Sequence, residues 1–367
     1  METVNVLLYL IIFLILFYVF YKLIITRRAD IITIQEGLIG SIDKKEFNSI
    51  KDNKNFLSID SIKSIDNKYA KLPIKDYCIK ASYNSAITGK SVNKDMVKFA
   101  LSRGCRFIDL EVFYIKKNKN YIPVVAQSSD PNYKVFDTDN DINLEEIFST
   151  IVSNSFSNTS PNKKDPLFLH LRIKTKDTNC YAAISKMIDS VLKNKLHDGE
   201  VTRDTKLADI MGKIVIVIDK TIHRDYKDYA KCRASDISCF DLSNYMNMES
   251  GSQNMNSYSL TQIESQAFSS AMIKDDNVST TAVASKLILP HEKTKENPDM
   301  GKMILNHGAQ IVCYRYNLVD THLVDAETFF NDNRGGIIPL AAAIPYCERI
   351  RKEEKNAGSA NSGSGMK

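Results

Sequence analysis

Asp109 and Glu111 stand two residues apart in the run FIDLEVF. On a β-strand that spacing puts both carboxylates on one face, the face Phe107 also occupies. Two carboxylates on an inward, buried face are costly unless something neutralises them. Two arrangements meet that need. One is a hard cation of the Mg²⁺ or Ca²⁺ type, with Asn84 adding a carbonyl oxygen. The other is pairing to neighbouring backbone, Arg or Lys. Six histidines are present but show no H-x-H or H-E-x-x-H spacing, so zinc is not supported. His170 shares a strand face with Phe168 and Arg172 and reads as a core histidine one layer deeper, with substitute catalysis as its sharper alternative. His223, His291, His307 and His322 fall in predicted loops or strand ends, and His197 in a turn beyond a helix. Seven cysteines without a CxxC pair exclude a zinc ribbon and a disulfide framework and read as reduced thiols.

Those side chains need rigid strands behind them. Apolar, β-rich runs recur at Tyr77–Ala81, Phe107–Phe113, Val124–Gln127, Leu167–Arg172, Ile214–Ile218 and Ile311–Tyr316. Stretches with helical apolar spacing fall between several of them, at Asp95–Ser102, Asn143–Val152 and Tyr181–Lys193. Nearly continuous apolar strands alternating with helices predict a parallel sheet covered on both faces. Six or more such strands favour a barrel over an open sheet. Functional side chains then belong at the C-terminal strand ends. Read in order, those ends carry Ser82 to Ser85, then Asp109 and Glu111, then Gln127 and Ser128, then His170 and Arg172. The polar stretch 250–280 is expected to form a loop or a helix pair.

The flanks differ in kind. Residues 4–25 open with eighteen uncharged residues, Val4 to Tyr21, and are expected to form one transmembrane helix. A cleaved signal peptide would want a basic start and a small-residue cleavage site, and neither is present. Lys22, Arg27 and Arg28 follow the span, so the expected topology is single-pass with the C-terminal part on the cytosolic side, or its equivalent in a virion membrane. Residues 26–71 read as a polar tether with one short helix, and residues 349–367 as a flexible Gly/Ser/Asn-rich tail. Between them, residues 72–348 make one unit of ordinary globular composition, since the chain is 43% hydrophobic and 25% charged. A net charge of +5 is too mild for nucleic acid, which wants a concentrated basic stripe, but allows weak attraction to anionic lipid.

The motifs now resemble a known family. IKASYNSAITG, then ALSRGCRFIDLEVFYI, then PVVAQSS are similar to the X region of phosphoinositide-specific phospholipase C. DPLFLHLRIK and ADIMGKIVIVIDK resemble its next segments. SKLILPHEKTKENPDMGKMILNHGAQIVCYRYN and FFNDNRGGIIP resemble its Y region. GCRFIDLE is the most specific piece, and the elements keep the family's order over about residues 72–340. The resemblance implies a distorted TIM barrel that cleaves the phosphodiester of an inositol lipid, usually with Ca²⁺.

The departures shape the functional expectation. The family's two catalytic histidines fall on Tyr83 and Gln127. Its metal ligands fall on Asn84, Asp109 and Glu111, with the acidic pair swapped in type, and a further metal-binding Glu falls on Arg172. Phosphate-binding positions are partly kept, at Lys213 and Lys220 and, where the family has its S-R motif, at Ser285 and Lys286. Gln127 exchanges no proton near neutral pH, and a tyrosine with a reference pKa near 10 is a poor base. The expectation is therefore a barrel that has lost phosphodiesterase activity and serves as an inositol-lipid-binding, scaffold or virion-membrane protein. It would need no cofactor, with Arg172 replacing the metal. The alternative is an active phosphodiesterase with rearranged catalytic groups that uses Ca²⁺. Membrane lipid, phosphoinositide in particular, is the expected partner.

Overall fold

A computed structural model describes residues 13–14, 16–22, 44–56, 61–232, 240–267, 271–274, 277–280, 285–290 and 296–362. Ten strands matter for the site. They are β1 (Tyr77–Ser82), β2 (Phe107–Lys117), β3 (Asn120–Val125), β4 (Leu167–Ile173), β5 (Ile214–Asp219), β6 (Met248–Ser250), β7 (Met255–Ser259), β8 (Ser285–Leu289), β9 (Ile311–Tyr314) and β10 (Ile337–Pro339). Eight of them pair in the order β6-β5-β4-β2-β1-β9-β8-β7, and every pair on that path is parallel. The two ends of the path, β6 and β7, are joined by a turn in which Gly251 N–H donates to the Met255 carbonyl at 2.8 Å. Gly251 has φ 76°, a left-handed value that glycine adopts without cost. The result is a nearly closed parallel α/β barrel.

Side chains alternate across the wall, as a period of two requires. Ile79, Ala81, Phe107, Phe168, Val215, Val217, Leu287, Ile311 and Cys313 fill the interior. Their neighbours Ile108, Leu110, Leu169, Leu171, Ile216, Ile218 and Val312 face outward into a second cluster beneath the helices. That shell contains α1 (Lys94–Ser102), α2 (Leu144–Ser155), α3 (Thr178–Met187), α4 (Met300–His307), α5 (Thr321–Asp332) and α6 (Leu340–Ser362). Asn93, Asn143, Asp177, Asp299 and Asp320 begin the first five, each accepting a backbone N–H of the first turn. Such a cap contributes about 1 kcal/mol and stops the loop above from fraying the helix.

Several expectations change here. The expected transmembrane helix is corrected: among the described residues no helix is long and apolar enough to cross a membrane. Within 4–25, residues 13–14 and 16–22 are helical and exposed. Nine residues rise only about 14 Å, against a hydrocarbon core of about 30 Å. The rest of that expectation lies outside the described residues. The single-pass location and its cytosolic orientation rested on that anchor and fall with it.

Part of the segment read as a tether is a docked helix at 44–51. Ile50 is buried there, and Phe47 and Phe56 pack against Phe99 with ring centroids 6.3 and 5.4 Å apart. The segment read as a tail is helical to Ser362, because α6 is started by the buried Leu340, Ala343 and Ile344 and propagates outward. The 250–280 stretch carries β7, a short helix Leu260–Glu264 and two strands, Ala271–Lys274 and Asn277–Thr280. Cys78, Cys105, Cys180, Cys313 and Cys347 are free and buried, whereas Cys232 is disulfide-bonded, against the expectation of thiols throughout.

Candidate functional site

Register does most of the positioning. Parallel pairing of β2 with β4 sets Asp109 beside His170 and Glu111 beside Arg172, all on the inward face at the C-terminal end of the barrel. Asn84 follows β1 with φ 44°, a left-handed turn that Asn tolerates better than most residues. Its N–H donates to Asp109 Oδ2 at 2.9 Å. Ser128, just past the β2–β3 hairpin, donates its N–H to Glu111 Oε2 at 3.1 Å.

Arg172 lies at the centre. Its Nε and Nη2 donate to the two oxygens of Asp109 at 2.9 and 2.8 Å, its Nη1 to Glu111 Oε1 at 2.5 Å, and its Nη2 also to Asn84 Oδ1 at 2.6 Å. Asp109 is 0%, Glu111 1% and Arg172 3% exposed, so these bonds form out of contact with bulk water. A second cation, Lys174, stands 3.6 Å from Glu111 Oε1. Two acids therefore meet two cations. Burial alone would push the Asp109 carboxyl up, but the Arg172 charge and the His170 and Arg172 hydrogen bonds outweigh it and hold it well below the usual carboxylate range. Burial would likewise lower the Arg172 guanidinium, and Asp109, Tyr83 and Glu111 reverse the sign and raise it.

Beneath the cluster, His170 Nδ1 is 2.7 Å from Asp109 Oδ1 and its Nε2 is 2.8 Å from Ser250 Oγ. An ionised carboxylate only accepts, so Nδ1 donates to it. The order Ser250, His170, Asp109 is that of a nucleophile, a base and the carboxylate that orients the base. Ser250 and His170 are both 0% exposed, so no substrate reaches them and the chain of bonds serves the core. Above the cluster, the Tyr83 ring covers Arg172, whose guanidinium carbon is 4.5 Å from the ring centroid, and Arg315 approaches the same ring at 5.5 Å. Gln127 is half-buried in the loop after β3 and its carbonyl accepts from Asp137 N–H at 2.8 Å.

The oxygen set at Asn84, Asp109 and Glu111 is of the kind Ca²⁺ takes, but as it stands it does not fit the ion. The guanidinium already binds one oxygen of Asn84, one of Glu111 and both of Asp109, and it places a positive charge where the ion would sit. Among the described residues no group of three or more His, Cys, Asp and Glu is arranged to hold a metal.

The strand ends open into a cavity of about 790 Å³, lined by Tyr83, Arg172, Lys174, Lys220, Arg224 and the opposing Asp219, with Asn256, Ser257, Ser259 and Gln262 around them. Lys220 thus reaches the mouth, where it also stands 3.7 Å from Glu249. Lys213, Ser285 and Lys286 do not. Lys213 precedes β5, and Ser285 and Lys286 begin β8, so all three lie at the N-terminal ends of their strands. Lys286 points out of the barrel and donates to the His307 carbonyl at 2.5 Å. Lys174, Arg224, Arg315 and Ser250 escaped sequence reading. Lys174 carried a signal, standing two residues beyond Arg172 and just past the end of β4.

Residues 70–220 match the family model of the phosphatidylinositol-specific phospholipase C X domain. The resemblance to that family holds. The crystal structure of L. pealei PLC21 superposes with a TM-score of 0.53 at 15% identity, over 74% of this chain and 37% of that one. S. officinalis PLC21 gives 0.52 at 16% identity over the same shares. At that identity the likeness is one of fold, and the chain spans little more than a third of those proteins. No curated protein matches the chain. The fold is that of the phospholipase-C-like phosphodiesterases.

Proposed function

We propose that this barrel binds the phosphorylated headgroup of an inositol lipid at its mouth without cleaving the phosphodiester. The observation that carries the reading is the seating of Arg172 between Asp109 and Glu111 beneath the Tyr83 ring. Cleavage requires a base for the attacking hydroxyl and an acid for the leaving oxygen, each worth about 10²–10⁴ in rate. Gln127 supplies neither. Tyr83 is a phenol facing two guanidinium groups, and among the described residues no carboxylate or imidazole lines the cavity beside it except Asp219, whose Oδ1 accepts from Thr221.

What the mouth retains is charge. Arg172 and Lys174 are balanced by Asp109 and Glu111 beneath them, so it is Lys220 and Arg224 against Asp219 that leave the mouth net positive, which favours phosphate, while the Asn, Ser and Gln side chains suit hydroxyl groups. The test is turnover. The full chain is incubated with inositol lipid vesicles and Ca²⁺, and diacylglycerol is measured alongside co-sedimentation. Sedimentation without diacylglycerol beyond that of a Tyr83→Ala, Asp109→Ala control is the expected result. Diacylglycerol clearly above that control would establish an active phosphodiesterase with rearranged groups instead.

A further inference from the structure

A guanidinium seated among carboxylate and amide oxygens is itself a bound cation, supplied by the chain. Four oxygens surround it at 2.5–2.9 Å from its nitrogens: two from Asp109, one from Glu111 and one from Asn84. Two carboxylates and an amide carbonyl converging on one point are ligands a hard divalent cation accepts. We infer that these oxygens form a latent divalent-cation cradle, filled from within by Arg172, so that the wild-type barrel takes up no Ca²⁺ and loss of the guanidinium opens a Ca²⁺ site.

The cradle does not depend on Arg172 for its shape. Asn84 N–H and His170 Nδ1 hold Asp109, and Ser128 N–H holds Glu111. The Asp109 backbone is fixed in turn, its N–H donating to Ser85 Oγ at 3.2 Å and its carbonyl accepting from Ser85 N–H at 2.9 Å. Removing the guanidinium therefore leaves the oxygens in place with two negative charges. Lys174 is the nearest competitor, but its ammonium sits over the Tyr133 ring at 4.8 Å and pairs with Glu111 alone. An ion entering from the mouth balances both acids at once. The inference stands apart from the headgroup reading, because its test uses Ca²⁺ alone and no lipid.

The experiment compares full-length wild type, Arg172→Glu and Arg172→Gln by thermal melting and calorimetric titration with Ca²⁺. Wild type should show neither heat of binding nor a shift in melting temperature. Arg172→Glu without Ca²⁺ should melt well below wild type, and Ca²⁺ should bind with a single ion per chain and restore part of the loss. A rise on the order of 5 °C is expected when Ca²⁺ exceeds its dissociation constant by about a hundredfold. Arg172→Gln removes the cation without adding a third acid and should show a smaller shift of the same sign. A clear Ca²⁺ shift in wild type would overturn the inference. So would folded variants indifferent to Ca²⁺, or failure of both variants to fold even with Ca²⁺ present.

Discussion

At Asp109, burial and charge pull in opposite directions, and charge wins. Its folded-state pKa is depressed, so the folded chain releases a proton that the unfolded chain still holds at low pH. The stability this provides is complete above the unfolded value of about 4 and is lost as pH falls through the folded value. Asp109→Asn should therefore cost about 3–5 kcal/mol at neutral pH, because Arg172 loses half its partners. Urea denaturation at falling pH should show that deficit shrinking below about pH 4, while a deficit unchanged at low pH would sever it from the carboxylate's charge. Tyr83→His with Gln127→His restores an acid–base pair in type, yet leaves Arg172 in the cradle. That double variant should give no diacylglycerol from inositol lipid, and robust turnover would show that Arg172 does not block the reaction. The alignment of Asp109, Glu111 and Arg172 was legible in the sequence because a period of two and a family order suffice to infer it. Asn84's left-handed turn and the partnership of His170 with Ser250 were not, since they depend on a loop conformation and on a strand that sequence reading missed.

Four of the ten strands escaped notice: β8 and β10, and above all β6 and β7. These last two are three and five residues long, and the stretch NMESGSQNMNSYS around them is polar and without sustained alternation. Their neighbours hold them, with Val217 to Asp219 of β5 on one side and the whole of β8 on the other. Local propensity is a weak guide where tertiary pairing decides. The long apolar strands β1, β2, β4 and β5 were plain for the opposite reason, being buried on both faces. Closure at the other end of the chain depends on Gly336. Its position in the run NRGGIIP lets β10 lie antiparallel against β1, from Tyr77–Pro339 to Ile79–Ile337. A Cβ at Gly336 would collide with the Gly104 carbonyl oxygen and with Asn162 Nδ2. Asn162 Oδ1 also accepts from the buried Arg106 at 2.7 Å, so it cannot yield freely. Gly336→Ala should accordingly lose about 1–3 kcal/mol in chemical denaturation, whereas Gly301→Ala, whose added Cβ would meet Asp299 Oδ1 at an ordinary 3.5 Å, should lose far less. Equal losses at the two positions would place the strain elsewhere.

Taken whole, the molecule turns its functional charge toward one end. The ion cluster is neutral and sealed, while Lys220 and Arg224 stand at the rim, half-buried and exposed, on the segment that follows β5. Cations near an anionic lipid surface contribute about 1 kcal/mol each, and salt screens them. If headgroup capture is electrostatic, Lys220→Ser with Arg224→Ser should weaken sedimentation with phosphoinositide vesicles by roughly tenfold to thirtyfold. Part of the Lys220 effect is offset by its pairing with Glu249 at 3.7 Å, which sets the lower end of that range. Wild-type binding should fall steeply as salt rises, and the double variant should show a flatter dependence. Free inositol phosphate should compete for the wild type, because the contacts proposed are to phosphate and hydroxyl groups rather than to acyl chains. Melting temperature should stay within a degree or so, since neither side chain is part of the core. Binding that ignores salt, or that survives both substitutions at full strength, would mean the rim cations do not face the lipid and would remove the mouth from the proposal.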